Sequence, residues 1–295
     1  MVKDLIKKTQ RNFQNKVQKD GSLLLKPYLF FLYLLRPIYF SNEFLILNGL
    51  KRKSKSKQQS ILFFTVHKSA STFIKNTIIK LVGASNIISL KLSGYLSKNK
   101  QHVYYNNPAF MKKVLHEKGY FFGAFRAFYP FPDMDKFKII LVLRDPRDVL
   151  TSFYFSTLYN HPLSTKTVLD DRKKYATYSI DDYVLEIAPA MQKNYAAYCS
   201  NLLNKKNVLF LKYEDMISDF DPWLHKLNSF LELNDNEREI KDIIAATTFK
   251  VEKEDPNSFK RNIKAGDHLN KLKPETIQKL NVLFYNEIKA LNYSI

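Results

Sequence analysis

Apolar residues fall along this chain in short unbroken runs that alternate with stretches of helical spacing. Residues 61–66 (ILFFTV) form such a run between Ser60 and His67, the pattern of a strand buried on both faces. Phe73, Ile74, Thr77, Ile78 and Leu81 then recur as one face of a helix. Further strands are predicted at residues 121–125, 138–143 (KIILVL) and 208–213. After the third strand, Asp145-Pro146-Arg147-Asp148 reads as a helix start. Asp145 suits the cap, Pro146 the first helical position and Asp148 the positive end of the helix dipole. A long helical pattern covers residues 179–203, two helices fit between Pro222 and Ala246, and Pro274 opens a closing helix that runs to about Leu291. Strands alternating with helices predict an α/β fold, a three-layer α/β/α arrangement with a central, mostly parallel sheet. Ligands of such sheets bind at the carboxyl ends of the strands, where each motif below falls.

Residues 1–57 are expected to form a helical, basic and apolar arm, and residues 58–295 the domain. Val2, Leu5, Ile6, Phe13 and Val17 recur at helical spacing among lysines, which suits either an anionic membrane surface or packing on the domain. Residues 23–50 are strongly apolar but are interrupted by Lys26, Pro27, Arg36 and Pro37, so no stretch reaches the roughly 20 residues of a spanning helix. This stretch suits a cover for a sheet edge or a membrane-proximal anchor. Residues 51–57 (KRKSKSK) read as a solvated linker.

Charge sharpens this division. The formal net charge is +19, and residues 1–60 hold thirteen Lys and Arg against Asp4, Asp20 and Glu43. The 45% apolar fraction excludes a mainly disordered chain. A lone Cys199 excludes an intrachain disulfide and a multi-cysteine metal site. No apolar leader with a small-residue cleavage site opens the chain, so a cytoplasmic location, peripheral at a membrane through the arm, is expected.

Between the first strand and its helix lies His67-Lys68-Ser69-Ala70-Ser71-Thr72. Hydroxyls, a lysine and the N–H groups of a helix start converge there as an anion cradle. The glycine–lysine loop of nucleotide triphosphatases is absent. Arg144 ends the third strand and Ser152 lies two turns into the next helix, a second anchor suited to phosphate oxygens.

In combination these motifs resemble the sulfotransferases that use 3′-phosphoadenosine 5′-phosphosulfate (PAPS). That family's first loop, P-K-S-G-T-T-W, stands here as HKSASTF, and its R-D-P-R-D-V-L-x-S as Arg144 to Ser152. Tyr213-Glu214-Asp215 matches Y-E-D, Thr247-Thr248-Phe249 matches T-S-F, and residues 261–267 (RNIKAGD) match R-K-G-x-x-G-D. The resemblance implies a P-loop NTPase-like fold and sulfuryl transfer from PAPS to an acceptor hydroxyl or, less readily, an amine, with no metal. It implies that Lys68 neutralises the leaving phosphate and that Ser69, Ala70, Ser71 and Thr72 wrap the 5′-phosphosulfate. Arg144, Ser152 and Arg261 would hold the 3′-phosphate, with Asn262 replacing a family lysine beside them. Phe73, Tyr213, Thr247 and Phe249 would line the adenine site.

Ala70 departs from the family glycine, and Ile263 from another. The family histidine after the second strand is absent, its stretch reading Phe125-Arg126-Ala127-Phe128-Tyr129-Pro130. Arginine cannot serve as a base near neutral pH, so Arg126 is expected to contact an anionic acceptor or the sulfuryl group. His161 is a candidate base in the loop after the 3′-phosphate helix, with His102 and Asp133 behind it. Residues 83–120 and 153–178, rich in Lys, Tyr and Asn, are expected to shape an acceptor cleft for a small molecule, glycan or lipid. Two alternatives stay open: a nucleotide kinase of similar fold, and a non-enzymatic basic protein binding membrane or polyanion. No nucleic-acid-binding motif occurs, and nothing in the sequence specifies an oligomeric state.

Overall fold

Five parallel strands build one sheet in the order β2-β3-β1-β4-β5. They are β1 (Ile61–Thr65), β2 (Ile88–Leu90), β3 (Tyr120–Phe125), β4 (Lys138–Leu143) and β5 (Val208–Lys212). The computed structural model describes residues 40–48, 54–96, 101–160, 166–233, 236–249 and 261–295, with 30, 34, 35, 38, 50, 251, 254–256 and 258 besides. The amphipathic helix expected near the start of the arm lies outside the described residues, as do Lys26, Pro27, Arg36 and Pro37.

The strand sequences are mostly apolar because both faces of the sheet are covered. Leu62, Phe64, Phe122, Ile139 and Leu141 enter one core; Ile61, Phe63, Phe121, Ile140 and Val142 enter the other. This alternation is the two-residue period of a strand read out on two buried sides. Phe63, Phe64, Phe121 and Phe122 are fully buried, each worth roughly 2–3 kcal/mol of transfer from water.

β2 was not predicted, since three residues carry too little pattern to separate a strand from a loop. It adds an edge to the four expected strands, and the described part of residues 83–120, expected as cleft-forming loops, instead holds β2, three short α-helices and a 3-10 turn. Helix α1 (Ser41–Leu47) buries Ile46, and its Glu43 accepts a hydrogen bond from the Lys91 backbone N–H just after β2. The expected closing helix is broken at Phe284 into two pieces, Pro274–Leu283 and Tyr285–Ala290.

The helices that position the site follow the strands directly. α2 (Ser71–Leu81) follows β1 and α3 (Pro146–Phe155) follows β4. As predicted, Asp145 caps α3 by accepting from Arg147 N (2.9 Å), with Pro146 in the first turn. A π turn continues α3 over Ser156–Asn160, then come α4 (Lys166–Tyr175) and the long α5 (Ile180–Asn201). Tyr195 and Tyr198 of α5 are fully buried and donate to the carbonyls of Arg144 (2.6 Å) and Thr65 (2.7 Å). One helix therefore clamps the carboxyl ends of β4 and β1, where the sheet carbonyls would otherwise lack partners.

Gly123 lies where β3 runs against β1, with φ +144; a Cβ there would sit 2.8 Å from the Phe63 carbonyl oxygen and 2.9 Å from Phe63 Cβ. Gly123→Ala is expected to lower the unfolding free energy by roughly 3 kcal/mol, read from urea midpoints, because neither backbone can retreat from a packed sheet.

Candidate functional site

The loop between β1 and α2 turns through two left-handed residues, Lys68 (φ 63) and Ala70 (φ 54). Ala70 takes a conformation that glycine adopts without strain, so the departure from the family pattern leaves the turn intact at a local cost. Ser69 is fully buried and its hydroxyl faces inward, within 2.7 Å of Val66 O and of Thr65 Oγ1. Its hydroxyl braces the loop instead of lining the cavity that the loop borders. Lys68, Ala70, Ser71, Thr72 and Phe73 do line it, a space of about 670 Å³ at the carboxyl edge of the sheet.

Arg144 leaves β4 beneath this loop and is nearly fully buried. One arm donates to the Lys68 carbonyl (3.0 Å), its guanidinium lies 4.5 Å from the centre of the Tyr213 ring, and Asp148 Oδ2 is 3.6 Å away. Its Nε is buried without a hydrogen-bond partner. Arg126, after β3, donates through Nε and Nη2 to Ser71 Oγ (3.3 and 3.1 Å). Burial, followed by the charges of Arg144, Arg261 and Arg126, lowers the Lys68 ammonium to about 8.

Asp148 ties this edge to the C-terminal motif. Its side chain is fully buried, Oδ2 accepts from Gly266 N (2.8 Å), and Oδ1 accepts from His268 N (3.0 Å) and meets His268 Nδ1 (2.7 Å). Gly266, at φ +76, makes the turn that aims these groups. Burial opposes the Asp148 charge, but the His268 hydrogen bonds and Arg144 outweigh it and hold the carboxyl at about 2. Arg261 is placed differently from the expectation. Its fork meets Asp267 and Glu254, its guanidinium lies 4.0 Å from the centre of the Phe155 ring, and it does not line the cavity. Two carboxylates hold it, whereas Asn262 and Ile263 beside it reach the cavity wall.

At the other end of the cavity Phe73 packs on Phe249 (5.3 Å between centroids) and Phe220 (5.7 Å), with Thr247 and Thr248 beside them. Sequence reasoning missed Phe220, which no motif marks. Tyr213 donates to Ile263 O (3.1 Å), and Glu214 accepts from Asp145 N (3.0 Å) and Tyr293 Oη (2.8 Å). These two residues thus bind three segments together.

The family profile described as "Sulfotransferase domain" matches residues 51–291. The chain belongs to this sulfotransferase family. Over 130 residues, 44% of this chain, it is 31% identical to an amine sulfotransferase of Oryctolagus cuniculus, and it spans 41% of that relative's length. In fold it is similar to mouse sulfotransferase SULT7A1, a structure complexed with PAP, at a TM-score of 0.53 and 20% identity over 84% of this chain and 94% of that one. A retinol dehydratase structure in a complex with retinol and PAP aligns at a TM-score of 0.47 and 18% identity, covering 85% of each chain.

Next to the β1–α2 loop lies a second cavity of about 410 Å³, bounded by Arg126, Phe153, Thr157, Tyr175, Tyr183 and Met191. His67, Arg126, Phe153, Thr157 and Asp171 line both spaces. None of the described residues within 83–120 borders either one. His102 is bound to Tyr129 Oη (2.8 Å) and Asp133 occupies a turn before Met134–Lys136; neither lines a cavity. His161 lies outside the described residues. Among the described residues no group of three or more His, Cys, Asp or Glu side chains could hold a metal ion, and no helix is long and apolar enough to cross a membrane.

Two outcomes follow from this packing. Ala70→Gly is expected to raise the unfolding free energy by about 1 kcal/mol in urea denaturation, since relief of the left-handed alanine exceeds the added chain entropy. Asp148, whose folded value lies below its unfolded one, contributes stability that is present above about pH 4 and lost as pH falls toward 2. Asp148→Asn is expected to remove roughly 2–3 kcal/mol of acid-dependent unfolding free energy across that window, measured by denaturation at stepped pH.

Proposed function

We propose that this chain transfers a sulfuryl group from PAPS to a hydroxyl or amine of a small-molecule acceptor. The observation that carries this reading is the burial of Lys68 among three arginines at a strand–helix turn, a concentration of positive charge suited to a bound polyanion. Family membership favours it over the kinase and non-enzymatic alternatives, and the PAP in the SULT7A1 structure agrees with the donor class.

The residues present fit the donor. Arg144 keeps a buried, unpartnered Nε at the cavity, an unusual position unless an anion is to accept from it. In this reading Lys68 and the N–H groups at the start of α2 hold the 5′ end, and Arg144, Ser152 and Asn262 hold the 3′-phosphate. Phe73, Phe249, Thr247 and Tyr213 enclose the base, with Phe220 supporting the two phenylalanines from behind. Arg261 acts through the loop as a positioning residue. The donor supplies an activated sulfuryl group, and negative charge grows on the departing 5′-phosphate oxygen during transfer. Lys68 faces that charge from a fixed turn, so little reorganisation is needed. Arg126, tethered to Ser71, orients groups at the junction of the two cavities, and the acceptor occupies the smaller one.

Calorimetric titration of adenosine 3′,5′-bisphosphate tests the reading, with 5′-AMP and ATP–Mg²⁺ as controls. The bisphosphate is expected to bind at least about tenfold tighter than 5′-AMP, and Lys68→Ala and Arg144→Ala each to weaken it by about tenfold or more. Affinity is expected to fall above about pH 8, because the free protein loses the Lys68 proton that the complex retains. Equal binding of the bisphosphate and 5′-AMP would overturn the donor assignment.

A further inference from the structure

The smaller cavity has apolar and aromatic walls from Phe153, Tyr175, Tyr183, Ile187 and Met191. Most of the polar groups along them are already engaged. Thr157 Oγ1 and Tyr183 Oη bond each other at 2.7 Å, and Tyr175 Oη donates to Glu186 (3.1 Å). Asn194 accepts from Phe128 N (2.9 Å) and donates to Arg126 O (3.3 Å), while Arg126 itself donates to Ser71. Asp171 is the exception. Its carboxylate reaches the cavity from α4 and makes no hydrogen bond or ion pair among the described residues. Two of its basic neighbours in sequence have other partners: Arg172 donates to Thr157 O (3.1 Å) and Lys174 pairs with Glu186.

The Asp171 carboxylate brings a negative charge to a wall built mostly of apolar and aromatic side chains. Its charge is felt inside the cavity: burial first, and Asp171 among the lesser causes, push the Tyr183 hydroxyl up to about 12. A carboxylate that lines one cavity with Phe153, Tyr175 and Tyr183 suits an ammonium group. Such a cation gains a charge-assisted hydrogen bond on one side and aromatic faces on the others. Neutral or acidic acceptors would leave the carboxylate without a counter-charge next to the bound molecule.

We propose that Asp171 selects acceptors that carry a protonated amine on an apolar or aromatic body. This specificity rests on the sulfotransferase reading for its purpose, but the cation site stands on the cavity alone. It narrows the expected small-molecule, glycan or lipid acceptor to a cationic small molecule, since the described walls offer no lysine cluster to receive an anionic headgroup.

The test titrates three probes of similar shape into the full chain saturated with adenosine 3′,5′-bisphosphate: 2-phenylethylamine, 2-phenylethanol and 3-phenylpropionate. The amine is expected to bind about tenfold tighter than the alcohol. Asp171→Asn should abolish that preference while leaving the alcohol's affinity within about twofold, and Asp171→Glu should retain it. Thermal unfolding of each variant checks that it folds. Equal affinities, failure of all three probes to bind, or a preference for the propionate drawn to Arg126 would overturn the proposal. Failure of the bisphosphate to bind wild type would instead sink the donor reading, and the probe series repeated without nucleotide would still decide the cation site.

Discussion

A single buried carboxylate organises the catalytic edge of this protein. Asp148 has no exposed side-chain surface, yet it stays charged because two backbone N–H groups, one imidazole and Arg144 surround it. A charge so placed costs several kcal/mol of desolvation unless its partners are in position, so it forces them into position. Through it the turn at Gly266, the helix start at Pro146 and the end of β4 become one rigid unit. Arg144 can then project under the β1 loop, and the C-terminal motif can close one wall of the cavity.

The positive character of the site does not follow from total charge. Thirteen of the chain's 47 Lys and Arg residues precede the first strand, within residues 1–60. Nearer the cavity, local pairing decides which cations act on it. Asp145 takes Arg147 in a bidentate grip (3.0 and 2.6 Å), and Asp267 with Glu254 takes Arg261. Lys68, Arg126 and Arg144 still face the cavity, and their mutual repulsion is what an anion would relieve. The opposite sign appears at Asp171, which lines both cavities together with Arg126.

Much of this arrangement was legible beforehand. The runs at 61–66, 138–143 and 208–213 declared themselves because a strand covered on both faces is apolar at nearly every position. The anion loop, Arg144 and the cap at Asp145 were readable because each depends on neighbours in sequence. β2 was too short to carry a pattern, and a single proline-free pattern after Pro274 gave no sign of the break at Phe284. Phe220 escaped because an aromatic residue at the start of an amphipathic helix has the same signature whether it serves a core or a site.

Local order in the chain therefore determined the strands, the turns and the identity of the residues at the carboxyl edge. Tertiary structure alone decided their partners. Ser69 and Arg261 carry the right chemistry for a phosphate, but one hydroxyl turned inward to Thr65 and Val66, and the guanidinium met two carboxylates. Asp171 belongs to no motif, and only packing brings it to a cavity that Phe153, Tyr175 and Tyr183 also line. Short-range patterns record what a residue's backbone will do, whereas the pairing of charged side chains is settled between segments far apart in sequence, by burial and distance.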